Sequence, residues 1–271
     1  MTDAAFRLDG WIAIVTGAGR GVGKGIALSL AEAGATVLCA ARTATEVAST
    51  AREIEANGGK ALSATCDVTD PDQCAQLIDR TVAECGGIDV LVNNAGGGGH
   101  RPTARLTTDF LIKTHELNLF AAVHLSRLAS ASLRARSGSI INISSGLGKV
   151  SEANCIAYAS AKAGLEQATR NLACELAPDV RVNALRLGAI VTPDFERLVE
   201  AVPGIDVRLA HWTPLKRLGT PRDVGLACVY LAAPAGSFVT GSVLDIDGGI
   251  QMPRGAMTMM DVARAEPSFE R

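Results

Sequence analysis

The sequence predicts an α/β protein built on a doubly wound, parallel, seven-stranded sheet with helices on both faces. Three observations lead there. Seven short apolar β runs alternate with helix-length stretches between residues 11 and 246, and such alternation calls for right-handed crossovers over a parallel sheet. Apolar residues make up 48% and aromatics only 4%, with 28 glycines, so the core is assembled from Ala, Val, Ile and Leu at close backbone approaches. A chain of 271 residues suits one large domain, with no linker and no internal repeat.

The elements follow in order. Residues 11–16 form an apolar strand that opens into a glycine-rich turn, and residues 25–33 carry helical spacing that stops at Gly34. Strands over 36–41, 61–66 and 90–93 are separated by helices over 45–56, stopped by Asn57-Gly58-Gly59, and over 70–85. A helical stretch around 118–135 precedes a strand at 139–144, and a helix over about 157–176 precedes a strand at 180–185. The last unit is a helix over 221–231 and a strand over 242–246. Between residues 187 and 215, Pro193, Pro203, Gly204 and Pro214 break the rhythm, which reads as a mobile lid at the sheet edge. The tail, residues 251–271, holds Met252, Met257, Met259 and Met260 and reads as a loosely ordered end.

Charge narrows the partners. Lys plus Arg number 26 against 28 acids, a net charge of −2, so no positive field gathers nucleic acid or an anionic membrane. No apolar run approaches a bilayer span and the first residues lack a signal-peptide pattern, so a cytoplasmic protein is expected. The seven cysteines (39, 66, 74, 85, 155, 174 and 228) form no C-x-x-C pair and leave an odd thiol, which argues against a disulfide framework or zinc site. The four histidines (100, 115, 124 and 211) share no ligand spacing, so no metal is assigned.

The first turn carries the cofactor argument. Gly17, Gly19, Arg20, Gly21, Val22 and Gly23 give the spacing G-x-x-x-G-x-G, in which missing side chains let backbone N–H groups and a helix N-terminus approach a pyrophosphate. About 20 residues on, where a ribose-binding acid is expected, stands Ala41, followed by Arg42. Without that carboxylate a 2′-phosphate meets no repulsion, and Arg20 and Arg42 can give it charge-assisted hydrogen bonds, so NADP(H) is expected over NAD(H). Asp67 and Val68, at the end of the third strand, can hold the adenine edge, or Asp67 can be a helix-start cap.

Tyr158 and Lys162 stand one helical turn apart on one face, so an ammonium can sit near a phenol. A neighbouring cation favours phenolate and lowers a pKa that is ordinarily about 10, which makes Tyr158 the candidate acid/base. Ser144 and Ser145 end the preceding strand, where side chains face the ligand crevice and a hydroxyl can bond an oxygen that gains charge.

The glycine turn, Asn93-Asn94-Ala95-Gly96, a serine before Tyr158-x-x-x-Lys162, and Asp247-Gly248-Gly249 together resemble the short-chain dehydrogenase/reductase family, over about residues 8–250. The resemblance implies a single Rossmann-type NAD(P)-binding catalytic domain over residues 1–250. It implies hydride transfer between the nicotinamide C4 and a carbonyl or secondary alcohol carbon, with Tyr158 exchanging the proton. It selects Ser145 over Ser144 as the oxygen partner, and gives Asn118 the holding of a water beside the lysine. A helix kink or local back-bond is the other reading of Asn118. By the same resemblance Lys162 binds the nicotinamide ribose, Asn94, Ala95 and Gly96 line the cofactor trough, and Ile190 and Thr192 touch the carboxamide end. A homotetramer is implied, paired through the helices around 118–135 and 157–176. Leu187-Gly188 departs from the family's usual Pro-Gly, so the lid's path is expected to differ.

Local motifs favour a bulky alicyclic substrate such as a hydroxysteroid. Residues 93–99 with Pro102, His124-Leu125-Ser126, Thr213-Pro214 and Arg217-Leu218-Gly219 resemble the bacterial 7α-hydroxysteroid dehydrogenases, and the glycines leave open volume for a wide ring system. That group commonly has Asp at the position of Ala41 and prefers NAD. The alternative is a 3-oxoacyl-[acyl-carrier-protein] reductase, whose acidic protein-borne substrate calls for a basic patch; Arg134 and Arg136 are candidates, beside the opposing Asp179. A catalytically silent NADP(H)-binding regulator is a third reading, set against the four filled catalytic positions. His211-Trp212 in the lid has two readings, substrate contact or surface packing.

Overall fold

In the first strand, β1 (Ile12–Thr16), every residue is buried rather than every second one, as a strand covered on both faces requires. A computed structural model describes residues 4–98 and 100–250. The other strands are β2 (Thr36–Ala41), β3 (Lys60–Thr65), β4 (Val90–Asn93), β5 (Ser139–Ser145), β6 (Arg181–Leu187) and β7 (Val243–Ile246). They form one parallel sheet in the order β3-β2-β1-β4-β5-β6-β7.

Alternate residues feed two cores. Ala13, Val15, Val37, Cys39, Val90 and Val92 pack with Ile26 and Leu30 of helix α1 (Gly21–Glu32), and with Val224 and Cys228 of the last helix (Pro221–Ala232). Val47 and Ile54 of α2 (Ala44–Ala56) join the same core. Ile14, Leu38 and Leu91 face the other way, where Leu77 and Ile78 of α3 (Pro71–Cys85) close over them. The helices α1 and Pro221–Ala232 approach so closely that a Cβ on Gly225 would lie 2.2 Å from Ser29 Oγ.

The region 103–120, to which the sequence assigns no helix before residue 118, holds α4 (Thr108–His115) and a π-turn over Glu116–Phe120, which leads into α5 (Ala121–Ala135). Next comes α6 (Ile156–Leu176). The expected irregular lid contains two short helices, α7 (Pro193–Ala201) and α8 (Ile205–Trp212), packed through Ile205, Leu209, Phe195 and Leu198. Helix Pro221–Ala232 is α9. Helix α1 starts at Gly21 and not at residue 25, because glycine-rich sequence hides a first turn whose φ values glycine supplies. The Met-rich tail lies outside the described residues.

Because β1 pairs with β2 on one side and β4 on the other, the chain leaves the sheet in opposite directions there, which opens a crevice at the carboxyl ends of the strands. The opposite end is tied down. The buried Asp89 carboxylate accepts from Ile12 N at 2.7 Å and from Arg136 Nε at 2.8 Å. The Arg181 guanidinium donates to the carbonyls of Leu231, Ala232 and Gly236, satisfying the end of α9. Among the described residues no helix is long and apolar enough to cross a membrane.

Candidate active site

Two elements set the floor of the cleft. Arg20 is the N-cap of α1 yet makes no side-chain cap, and the first turn carries no acid. The amides of that turn therefore keep their hydrogen-bonding capacity and a partial positive charge for an anion in the cleft. Side chains are excluded here: a Cβ on Gly23 would lie 2.2 Å from Gly17 O, and one on Gly17 would lie 2.8 Å from Asn94 Nδ2. Asn94 ties β4 to β1 by donating to Thr16 O at 2.8 Å. The Thr16 hydroxyl accepts from Asn94 N and Ala95 N, both at 3.0 Å.

The crevice encloses about 740 Å³ and reaches from Arg42 and Asp67 past the glycine turn to Tyr158 and the lid. Gly19, Val22, Val68, Ala95, Gly96, Ile190 and Thr192 border it as the sequence expects. Asp67 is not the cap of α3. That cap is Asp70, which accepts from Asp72 N and Gln73 N, while Asp67 turns back to Thr69 N at 3.0 Å and Thr69 Oγ1 at 2.8 Å. Thr192 caps α7 by accepting from Phe195 N, and Ile190 is buried beside Gly219.

Arg20 departs from expectation. Its guanidinium already has a partner across the cleft: Nη1 donates to Asp194 Oδ1 of the lid at 3.0 Å. Arg42 is exposed and takes no ion-pair partner among the described residues. Glu46, to which the sequence assigned no role, also borders the cleft; a Cβ on Gly19 would lie 2.9 Å from its Oε2. An acid in the first turn of α2, whose N-terminus points at the same crevice, is the signal that could have found it. His100 and Cys155 border the cleft unanticipated, whereas His211 and Trp212 are not among the residues lining it, with Trp212 exposed at the end of α8. Gly188 is held by its N–H to Ile246 O at 3.0 Å, and a Cβ there would lie 2.8 Å from Asp247 Cα.

At the far end α6 presents Tyr158 and Lys162. Burial pushes the Tyr158 phenol up, and the Ser145 hydroxyl against it acts in the opposite direction. Lys162 is buried with no carboxylate partner among the described residues, donates from Nζ to Ile143 O at 2.8 Å, and is pushed down by burial from 10.5 to about 8. Its Nζ lies 5.6 Å from the Tyr158 ring centroid. The phenol is thus held above its ordinary value, because burial outweighs the Ser145 hydroxyl.

The Ser144 hydroxyl is turned away, donating to Glu166 Oε1 at 2.9 Å, while Ser145 Oγ accepts from Leu147 N. Asn118 sits in the π-turn, where the extra residue re-aims a side chain. Its Nδ2 donates to Gly97 O at 2.7 Å and Thr114 O at 2.9 Å, and its Oδ1 accepts from Gly97 N at 3.0 Å. The local back-bond is thus present, inside a π-turn. A Cβ on Gly96 would lie 2.8 Å from Asn118 Oδ1 and 3.2 Å from Lys162 Nζ, so both groups border one small space.

Residues 17–251 match a family model described as Enoyl-(Acyl carrier protein) reductase. A 7alpha-hydroxysteroid dehydrogenase of Escherichia coli strain K12 is 38% identical over 245 residues, which cover 90% of this chain and 95% of that protein. A solved 7 alpha-hydroxysteroid dehydrogenase complexed with NADH and 7-oxo glycochenodeoxycholic acid superposes with a TM-score of 0.86 at 36% identity, covering 92% of this chain and 97% of that one. A gluconate 5-dehydrogenase from Burkholderia cenocepacia J2315, in complex with NADP and tartrate, gives 0.85 at 31% identity, covering 91% and 97%.

Proposed function

The chain belongs to the short-chain dehydrogenase/reductase family, and from that premise we propose that it interconverts a secondary alcohol and a ketone with NADP(H), on a bulky alicyclic substrate such as a hydroxysteroid. The observation that carries the reading is the convergence of Tyr158, Ser145 and Lys162 on the cleft floored by the glycine turn, with the Asn118 amide set behind them against Gly96.

The residues present fit a dinucleotide: the uncapped first turn of α1 and the side-chain-free turn suit a pyrophosphate, and Asn94, Ala95 and Gly96 lead from it toward Tyr158. When bound, the cofactor supplies or accepts the hydride. Lys162 holds the ribose nearest the chemistry, and Ile190 and Thr192 orient the carboxamide. Ser145 donates to the substrate oxygen as charge gathers there. Tyr158 gives or takes the proton on that oxygen, and Lys162 with Asn118 passes it on through the space above Gly96. Arg42 is the cation for a 2′-phosphate, joined by Arg20 once Arg20 leaves Asp194.

Two details support a wide substrate. A Cβ on Gly98 would lie 2.6 Å from the Tyr158 ring, so glycine there keeps the ring open to the cleft. Phe195, Leu198 and Leu209 give the lid an apolar lining. The acyl-carrier-protein reading needs free cations beside the cleft, but Arg134 pairs with Asp179 at 2.6 Å and Arg136 with Asp89 at 2.8 Å.

Nicotinamide absorbance tests the reading: NADP⁺ and NAD⁺ with hydroxysteroids, NADPH and NADH with a 3-oxoacyl thioester and simple ketones. Turnover of a hydroxysteroid with NADP⁺ is expected; turnover of the thioester alone transfers the assignment, and activity only with NAD(H) overturns the cofactor choice. Tyr158→Phe is expected to cut kcat about 10²- to 10⁴-fold while NADPH still binds by fluorescence titration. A wild-type protein that binds NADPH and turns over nothing in the panel would favour the silent regulator.

A further inference from the structure

Beneath the site lies a charge network that the proposed chemistry does not use. Ser144, Arg186 and Asp245 are register partners on β5, β6 and β7, so their side chains stand in one row on one face of the sheet. Helix α6 covers that row and lowers Glu166 into it, one turn beyond Lys162. Glu166 accepts from Arg186 Nε at 2.9 Å and Nη2 at 2.6 Å, and from Ser144 Oγ at 2.9 Å. Arg186 Nη1 reaches Asp245 Oδ1 at 2.7 Å. The pair is deep, with side-chain exposures of 11% for Arg186 and 5% for Glu166.

The network meets the reacting groups on both sides. On the helix, Glu166 shares a face with Tyr158 and Lys162; on the strand, it holds Ser144, the residue before Ser145. The turn after Ser145 rests on the same carboxylate, since a Cβ on Gly148 would lie 2.8 Å from Glu166 Oε1. Lys149, next along, lies 3.7 Å from Asp245. The Ser144 hydrogen bond thus ties the end of β5 to α6, and the buried ion pair to Arg186 holds the Glu166 carboxylate that receives it.

We propose that Glu166 and Arg186 are positioning residues that hold Ser145 against Tyr158 through Ser144 and the 146–149 turn. The inference rests on the functional reading above. A buried bidentate pair is costly to desolvate and suits geometric specification better than stability. Misplacement of a reacting group by about 1 Å is enough to lower rate about 100-fold.

The test compares Glu166→Gln, Arg186→Lys and Ser145→Ala, singly and with E166Q combined with S145A. Glutamine still accepts from Ser144, and Asp245 still faces the guanidinium, so E166Q is expected to fold. The expected result is a kcat lowered about 10- to 100-fold in E166Q and in R186K, whose ammonium keeps the charge but not the two-pronged contact, and an unchanged NADPH Kd. In the S145A background E166Q is expected to add almost nothing, because its effect passes through Ser145. Amide exchange over 144–150 is expected to quicken in E166Q. Unchanged exchange, unchanged kcat, or full additivity with S145A overturns the proposal. A wild-type protein without turnover on any substrate overturns the functional reading instead, and the exchange comparison then still decides whether the network holds the 144–150 segment.

Discussion

Arg42 stands at the end of the cleft proposed for the adenosine, without an ion-pair partner among the described residues, while Glu46 lines the same cleft and Arg20 is paired with Asp194. A 2′-phosphate there would gain charge-assisted hydrogen bonds worth about 1.5–3 kcal/mol. Arg42→Ala is therefore expected to weaken NADP⁺ binding about 10- to 100-fold and leave NAD⁺ unchanged, as read by titration calorimetry. Lys162 makes a separate prediction about pH. Burial lowers it from 10.5 to about 8, so folding disfavours its charged form. Between those two values the unfolded chain binds more protons than the folded one, and this residue's contribution to stability rises with pH across that window. Below about 8 its full penalty is present. The stability difference between wild type and Lys162→Met is expected to move in favour of wild type from pH 7.5 to 10, measured by urea unfolding; a difference independent of pH would contradict it.

The π-turn over Glu116–Phe120 adds one residue to a helical path and so swings Asn118 onto Gly97 and the space above Gly96. Asn118→Ala removes two hydrogen bonds to an exposed segment, each worth about 1 kcal/mol or less after water replaces it. The expected result is a Tm lower by about 2–4 °C per kcal/mol lost, with quicker amide exchange at residues 96–98. The seven strands were readable because each run has an apolar stretch set between turn residues or helix-length segments, and six helices because a cap, glycine or proline marks their ends. Helix α4 was not: Thr108–His115 buries only Thr114 and has no apolar stripe to betray it. The lid helices were hidden by the prolines that begin and separate them, since Pro193 sits at the first position of α7, where it is tolerated. The positions of Tyr158, Lys162 and Asn118 could be named from spacing and resemblance. That Arg20 reaches Asp194 and Arg186 reaches Glu166 could not, because those partners lie 174 and 20 residues apart and meet only through the fold.

Across the whole molecule, Ile112, Phe120 and Ile156 leave an exposed apolar surface near α4, the π-turn and the start of α6, beside helices expected to pair in a tetramer. Light scattering is expected to give four times the chain mass, and Phe120→Glu a smaller assembly; a monomeric wild type would refute this. The tie at the amino ends of the strands has a further meaning. Asp89 clamps Ile12 and Arg136, and Arg181 seals the end of α9, so that half of the molecule is bolted by buried charge far from the crevice. Loops at the rim can then be exchanged, lengthened or reshaped around a new ketone without the foundation shifting, which makes the chain a chassis on which substrate range is free to drift while the hydride chemistry stays in place.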